Sequence, residues 1–145
     1  HLSQSPVSYE ASHEVAALMR SVSDYERMGD HCEQLMKLLR RKRDKKYTFS
    51  SEARSEVLEL SDKVRSFVQF TRDHLLTHEN IIDEAFSHED GINQLSKRLR
   101  NTNIKRISEN TCLLEGGLIF INMISSYEKI GDHNVNISEE IAGAR

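Results

Sequence analysis

Tryptophan is absent from these 145 residues, proline occurs once, glycine six times and cysteine twice. So few helix breakers, beside abundant Leu, Ile, Glu, Lys, Arg and Ser, exclude a turn-rich β fold and favour an all-α chain. Two cysteines make no disulfide framework, which fits a reducing compartment. Cys32 and Cys112 fall within or beside apolar-periodic segments and are expected to be buried thiols. No signal-peptide pattern and no apolar run of membrane-spanning length occurs, so the chain itself is expected to be soluble, whatever the protein it belongs to. A net charge of −3 gives no ground for a nucleic-acid partner. Also missing are a Gly-rich phosphate loop, a Ser-His-Asp set and a paired CxxC.

What is present is helical periodicity. From about Ser8 to Arg43, Val15, Leu18, Val22, Tyr25, Gly29, Cys32, Met36 and Leu39 alternate spacings of three and four, the pattern of a bundle seam. Ser50 or Ser51 can cap a second helix reaching about Thr77, with Val57, Leu60, Val64 and Phe67 inward. A third is expected over Ile81 to Ile107, with Ala85, Ile92, Leu95 and Leu99 inward. A fourth is expected from Leu113 to Ile141, with Gly143 just past its end. Four helices with short connections fold most simply as an antiparallel four-helix bundle. Residues 1–145 are read as one such domain, a fragment of a larger protein, because "HLSQSP" opens without an initiator methionine.

The fourth helix contains "SSYEKIGDHNVNI" at 125–137, and the first contains a weaker copy, "SDYERMGDHCEQL", at 23–35. The copies align without a gap at an offset of 102, and the alignment extends over the seam positions of both helices. In an antiparallel pair both motifs lie roughly 25 Å from the same end at ~1.5 Å per residue. A two-fold axis is then expected to exchange the first helix with the fourth and the second with the third. Gly29 and Gly131, as seam positions without side chains, are expected at a close crossing of the first and fourth helices.

Glu26 with Asp30, and Glu128 with Asp132, stand one turn apart on a helical face. Such carboxylates repel unless a cation lies between them. A hard divalent ion or iron is one candidate, with His31 and His133 as further donors. The plain alternative is neutralisation by Arg27, Lys129 or a lysine of the next helix. Weaker metal signals are His74 with His78 beside Glu79, and Glu10-x-x-His13; neither makes a site by itself. "KLLRRKRDKK" at 37–46 and "KRLRNTNIKR" at 97–106 are locally basic and are expected at one pole of the bundle. There Arg40, Arg41, Lys42 and Arg43 suit an anionic membrane surface, or simply the helix C-terminus.

"SYEKIGDHNVNISEEIA" resembles the signature of the PhoU family of phosphate-uptake regulators, and "DYERMGDHCEQL" is similar to its first-repeat counterpart. The stretch from "INQLSKRLR" through "INMISSYEKIGDHNVNI" looks more like the PhoU-like domain that follows the membrane region of bacterial sodium/phosphate cotransporters. The resemblance implies an all-α fold of two three-helix repeats, of which this chain holds one repeat plus the last helix of the preceding one. It implies a regulatory, non-enzymatic role at the inner face of the cell membrane, with the transporter's membrane domain as partner. It also implies possible metal ligation through Glu26, Asp30, Glu128 and Asp132. The chain departs from the pattern at Gln34 and Leu35, and at Asn101 and Asn103, where relatives often carry acids. The rival readings are a carboxylate-bridged metalloenzyme of the bundle type and a structural bundle without a ligand.

Overall fold

The computed structural model describes residues 6–77 and 79–143. Four helices account for most of them: α1 (Pro6–Asp44), α2 (Ser51–His74), α3 (Ile82–Ser108) and α4 (Leu114–Ile141). The local signals act where the residues place them. Ser50 is the N-cap of α2, and its hydroxyl accepts from the Ala53 amide at 3.1 Å, satisfying one of the free N–H groups of the first turn. Beyond α4, Gly143 takes φ +69°, the left-handed conformation that a side chain disfavours.

Consecutive helices alternate in direction. Arg20 meets Glu140 and Asp24 meets Asn136, so α1 and α4 run antiparallel; Glu59 with Arg98 and Glu56 with Arg106 do the same for α2 and α3. Leu60, Val64, Phe67, Ala85, Ile92, Leu95, Leu99, Phe120 and Ile124 form the centre of a single apolar core, none more than 4 % exposed. These are the inward positions that the three-four rhythm of α2, α3 and α4 predicts.

The layout is open. Helices α2, α3 and α4 pack on one another as a three-helix unit, while α1 packs on α4 alone among the helices. No axis within the chain therefore exchanges α2 with α3, contrary to the closed arrangement expected from the repeat. A second difference concerns α1. Its expected seam is turned outward: Val15, Leu18, Val22 and Met36 are 55 to 64 % exposed, and Gly29 and Cys32 are exposed with them. The buried stripe lies one residue earlier, at Ser21, Asp24, Met28 and Leu35, with His31 and Leu38 half-buried. The contact with α4 combines Met28, Leu35 and Leu38 with polar partners, and the more apolar stripe is not the one that α4 covers. Of the two thiols, Cys32 is exposed and Cys112 half-buried, so neither is the core residue that its periodic setting suggests.

Candidate functional site: the α1–α4 seam at the repeated motif

Both motifs reach the same level, as the axial arithmetic predicts. His31 stacks on His133, its own counterpart in the repeat, with ring centroids 5.4 Å apart and planes 18° from parallel. Two turns along α1 from His31, Asp24, 4 % exposed, accepts from His133 Nδ1 at 2.9 Å and from the Asn136 amide at 3.1 Å. Arg20 closes this edge with a bidentate pair to Glu140, at 2.6 and 3.1 Å. Asp24, Asn136 and Arg20 escape a search for repeats, because their counterparts 102 positions away are Ser126, Gln34 and Asn122. Burial of His31 and the positive charges of His133 and Lys129 push its pKa below the usual imidazole value; Asp30 and Asp132 oppose this.

The glycines do not make that crossing. Gly131 is buried, but a Cβ built on it would meet Ile92 of α3 at 3.4 Å; one built on Gly29 would meet nothing within 4 Å. The gap that Gly131 opens is filled from α3, so the glycine serves the α3–α4 contact.

The four motif carboxylates have different surroundings. Glu128 is paired with Arg100 of α3, which also donates to Ser125 Oγ at 3.1 Å; an arginine of the next helix thus supplies its counter-charge. Asp132, Glu26 and Asp30 are exposed. On α3, Glu89 is half-buried, and its carboxyl is pushed up by burial and then by the negative charges of Asp132, Glu139 and Asp90. Glu89 carries no motif spacing, and only the packing of α3 on α4 brings it within reach of Asp132. As donors for a cation the set divides. Asp132 lies where negative charge already accumulates, Glu128 is committed to Arg100, and Glu26 and Asp30 stand on another helix. Among the described residues no group of three or more His, Cys, Asp or Glu side chains is gathered closely enough to hold a metal ion.

The weaker sequence signals are dispersed. His74 faces Glu79 at 3.6 Å and bonds the Phe70 carbonyl through Nδ1, while His78 lies outside the described residues. Glu10 and His13 are exposed on α1. Helices α1 and α3 end at one pole, yet the basic residues of α3 are largely neutralised there: Arg98 by Glu59, Arg100 by Glu128, and Arg106 by a bidentate pair to Glu56 at 2.7 and 3.1 Å. On α1, Arg43 pairs with Asp44 and Lys42 lies over the Phe49 ring, while Arg40 and Arg41 are exposed. No described helix is long and apolar enough to cross a membrane.

Comparison with known proteins places this arrangement. The chain is 25 % identical over 139 residues to a phosphate-specific transport system accessory protein PhoU homolog of Clostridium acetobutylicum, covering 94 % of this chain and 61 % of the relative. It is 28 % identical over 133 residues to PhoU homolog 1 of Thermotoga maritima, named in the same way, covering 88 % of this chain and 54 % of the relative. The chain thus spans between half and two thirds of these curated relatives. No solved structure gives a significant match. Residues 57–141, the greater part of α2 and the whole of α3 and α4, match the PhoU domain, and this chain belongs to the PhoU domain family.

Proposed function

We propose that this chain is a regulatory, non-enzymatic domain controlling phosphate uptake, acting by protein contact at the inner face of the cell membrane. The observation that carries this reading is the family match over the three-helix unit, together with two relatives named as accessory proteins of phosphate-specific transport. Its more specific form is the cytoplasmic portion of a sodium-dependent phosphate cotransporter, with the transporter's membrane domain as partner. The basic end of α1 supports this, since Arg40, Arg41, Lys42 and Arg43 in the last turns place positive charge where anionic headgroups attract it. The test is phosphate uptake in cells whose chromosomal copy lacks the segment encoding these residues. Altered dependence of uptake on external phosphate is expected; unchanged uptake in both phosphate-limited and phosphate-replete medium would discard the reading.

Metal binding belongs to the same proposal in a narrower form. A divalent or iron ion would be held from Asp132, where Glu89 already feels the negative charges of Asp132 and Glu139, and it would relieve that repulsion. Glu128 would contribute only on leaving Arg100, and Glu26, Asp30, His31 and His133 only with donors from another element. Elemental analysis checks this: Asp132→Asn should lower bound metal while leaving the metal-free protein as stable or more so. Equal metal content in both proteins would remove Asp132 from the assignment. The metalloenzyme reading is disfavoured by the Arg100–Glu128 pair, which uses up one of the carboxylates a bridged centre needs.

A further inference from the structure

The two ends of the bundle differ in what surrounds their exposed leucines. One end is made by the C-termini of α1 and α3 and the N-termini of α2 and α4. There α1 and α3 stop in the same kind of turn. Lys46 and Asn110 take the left-handed conformation, at φ +57° and +55°, and the amides of Tyr47 and Thr111 bond back to the carbonyls of Lys42 and Arg106 at 3.0 and 2.9 Å. Tyr47 tucks against α4, where a Cβ built on Gly116 would meet Tyr47 Cβ at 3.9 Å; Lys45 and Lys46 are left exposed at the tip, beside the start of α4. That start is apolar and uncovered. Leu113, Leu114 and Leu118 are 69, 56 and 50 % exposed. Leu113 is moreover the N-cap of α4 and makes no side-chain hydrogen bond there, although a serine or aspartate would stabilise the helix at that position. Neither capping nor the core explains a leucine at this site. At the opposite end Leu76 is 84 % exposed, but Arg72 is paired with Asp73, and Glu79, Asp83 and Glu84 are exposed.

We propose that Leu113, Leu114 and Leu118 form a tip that enters the headgroup region of an anionic bilayer, held there by the cations at the end of α1. The proposal rests on the reading that this basic end faces the membrane, and it adds an apolar anchor to what would otherwise be attraction at a distance. Charge selects the end of the bundle that binds: an anionic surface attracts leucines set beside Arg40, Arg41, Lys45 and Lys46 and repels Leu76 among its carboxylates. Once the tip is at headgroup depth, its leucines gain by leaving water, and the two contributions add. Glu115, exposed in the first turn of α4, keeps the insertion shallow. The turns at Lys46 and Asn110 hold the tip in a fixed shape, so little ordering is needed on contact. The bundle then stands on its end, and the outward stripe of α1, which runs along the bundle axis, stays off the bilayer.

Because the chain has no tryptophan, a single one introduced by substitution reports its own surroundings. Leu114→Trp, Leu76→Trp and Val22→Trp are each mixed with vesicles of phosphatidylglycerol and phosphatidylcholine in equal parts. Only Leu114→Trp should shift its emission to the blue and be quenched by lipids brominated on the acyl chain. Leu113→Ser combined with Leu114→Ser should weaken binding to these vesicles by about tenfold, the apolar contribution of two partly inserted leucines. What binding is left should fall more steeply with salt than that of the unsubstituted chain, since only the screened attraction remains. The melting temperature of this double variant should stay level or rise, because serine caps α4 where leucine does not. If charge reversal at Arg41 and Arg43 abolishes binding while the two serines leave it unchanged, insertion is overturned and the electrostatic reading stands. If the unsubstituted chain does not bind the anionic vesicles even at low salt, both fail, in favour of a protein partner for this end. A blue shift from Val22→Trp in place of Leu114→Trp would overturn the proposal in favour of α1 lying along the bilayer.

Discussion

At the scale of single residues, Gly117 and Gly131, two of the three buried glycines of α4, differ in how much room they leave. A methyl at Gly131 would touch Ile92 at ordinary to tight distance, whereas at Gly117 it would lie 2.5 Å from Ile107 Cδ1 and 2.8 Å from Cγ1. Gly131→Ala is expected to be nearly neutral, because the helix propensity gained, ~1 kcal/mol, offsets the tight contact. Gly131→Leu should cost roughly 1 to 3 kcal/mol through overpacking, and Gly117→Ala should cost more than Gly131→Ala. Urea denaturation of the three variants orders them. Glu89 gives a prediction with pH. Its folded carboxyl titrates higher than in the unfolded chain because of burial first and then the charges of Asp132, Glu139 and Asp90. The folded state therefore favours the protonated acid, and stability is lost as pH rises through the folded value. Glu89→Gln should raise the melting temperature at neutral pH and bring no gain in acid below the usual carboxylate range. A gain that is the same at both pH values would point to packing instead.

At the scale of helices, α4 is the hub, and α1 depends on it alone. Much of what joins them is polar: Asp24 with His133 and Asn136, Arg20 with Glu140, and the stacked histidines. Asp24→Ala leaves two half-buried donors without this acceptor and should cost about 1 to 3 kcal/mol. The loss should be localised. Amide exchange in α1 is expected to rise while α2 and α3 keep their protection, since their packing on α4 does not pass through Asp24. Uniform loss of protection across all four helices would show instead that α1 and the three-helix unit open together. Burial of His88 and the charge of Lys63 lower the imidazole of that residue, and His31 is lowered as well. Below the usual imidazole range the unfolded chain takes these protons first, so stability should decline from there down to the folded values.

At the scale of the whole molecule, charge is distributed unevenly although the net value is −3. Arg98, Arg100 and Arg106 of α3 are held in ion pairs across the bundle, and the end of α1 keeps exposed cations. Binding to anionic vesicles is expected to depend on Arg40 and Arg41 and to weaken with salt, because surface attraction is screened over ~8 Å at physiological ionic strength. Charge reversal at Arg41 and Arg43 should reduce it, and reversal at Arg98 should change it little. Co-sedimentation with anionic and neutral vesicles separates these outcomes; equal binding to both would leave the cations as a helix-dipole feature only.

The sequence by itself determined the four helices, their order and alternation, the Ser50 cap, the Gly143 terminus and the core positions of α2, α3 and α4. Each rests on local periodicity or on capping chemistry that acts within a few residues. It also determined that the two motifs share a level, since helical rise converts residue number into distance. Which face of α1 is buried was decided only by tertiary structure. Apolar content marks both the stripe that meets a partner present in the chain and the stripe that does not, and on α1 the more apolar stripe is the outward one. Tertiary structure likewise assigned Gly131 to Ile92, Arg100 to Glu128 and Asp24 to His133. These pairs join residues far apart in the chain whose types carry no sign of one another, and only the packing angle of the helices brings them together.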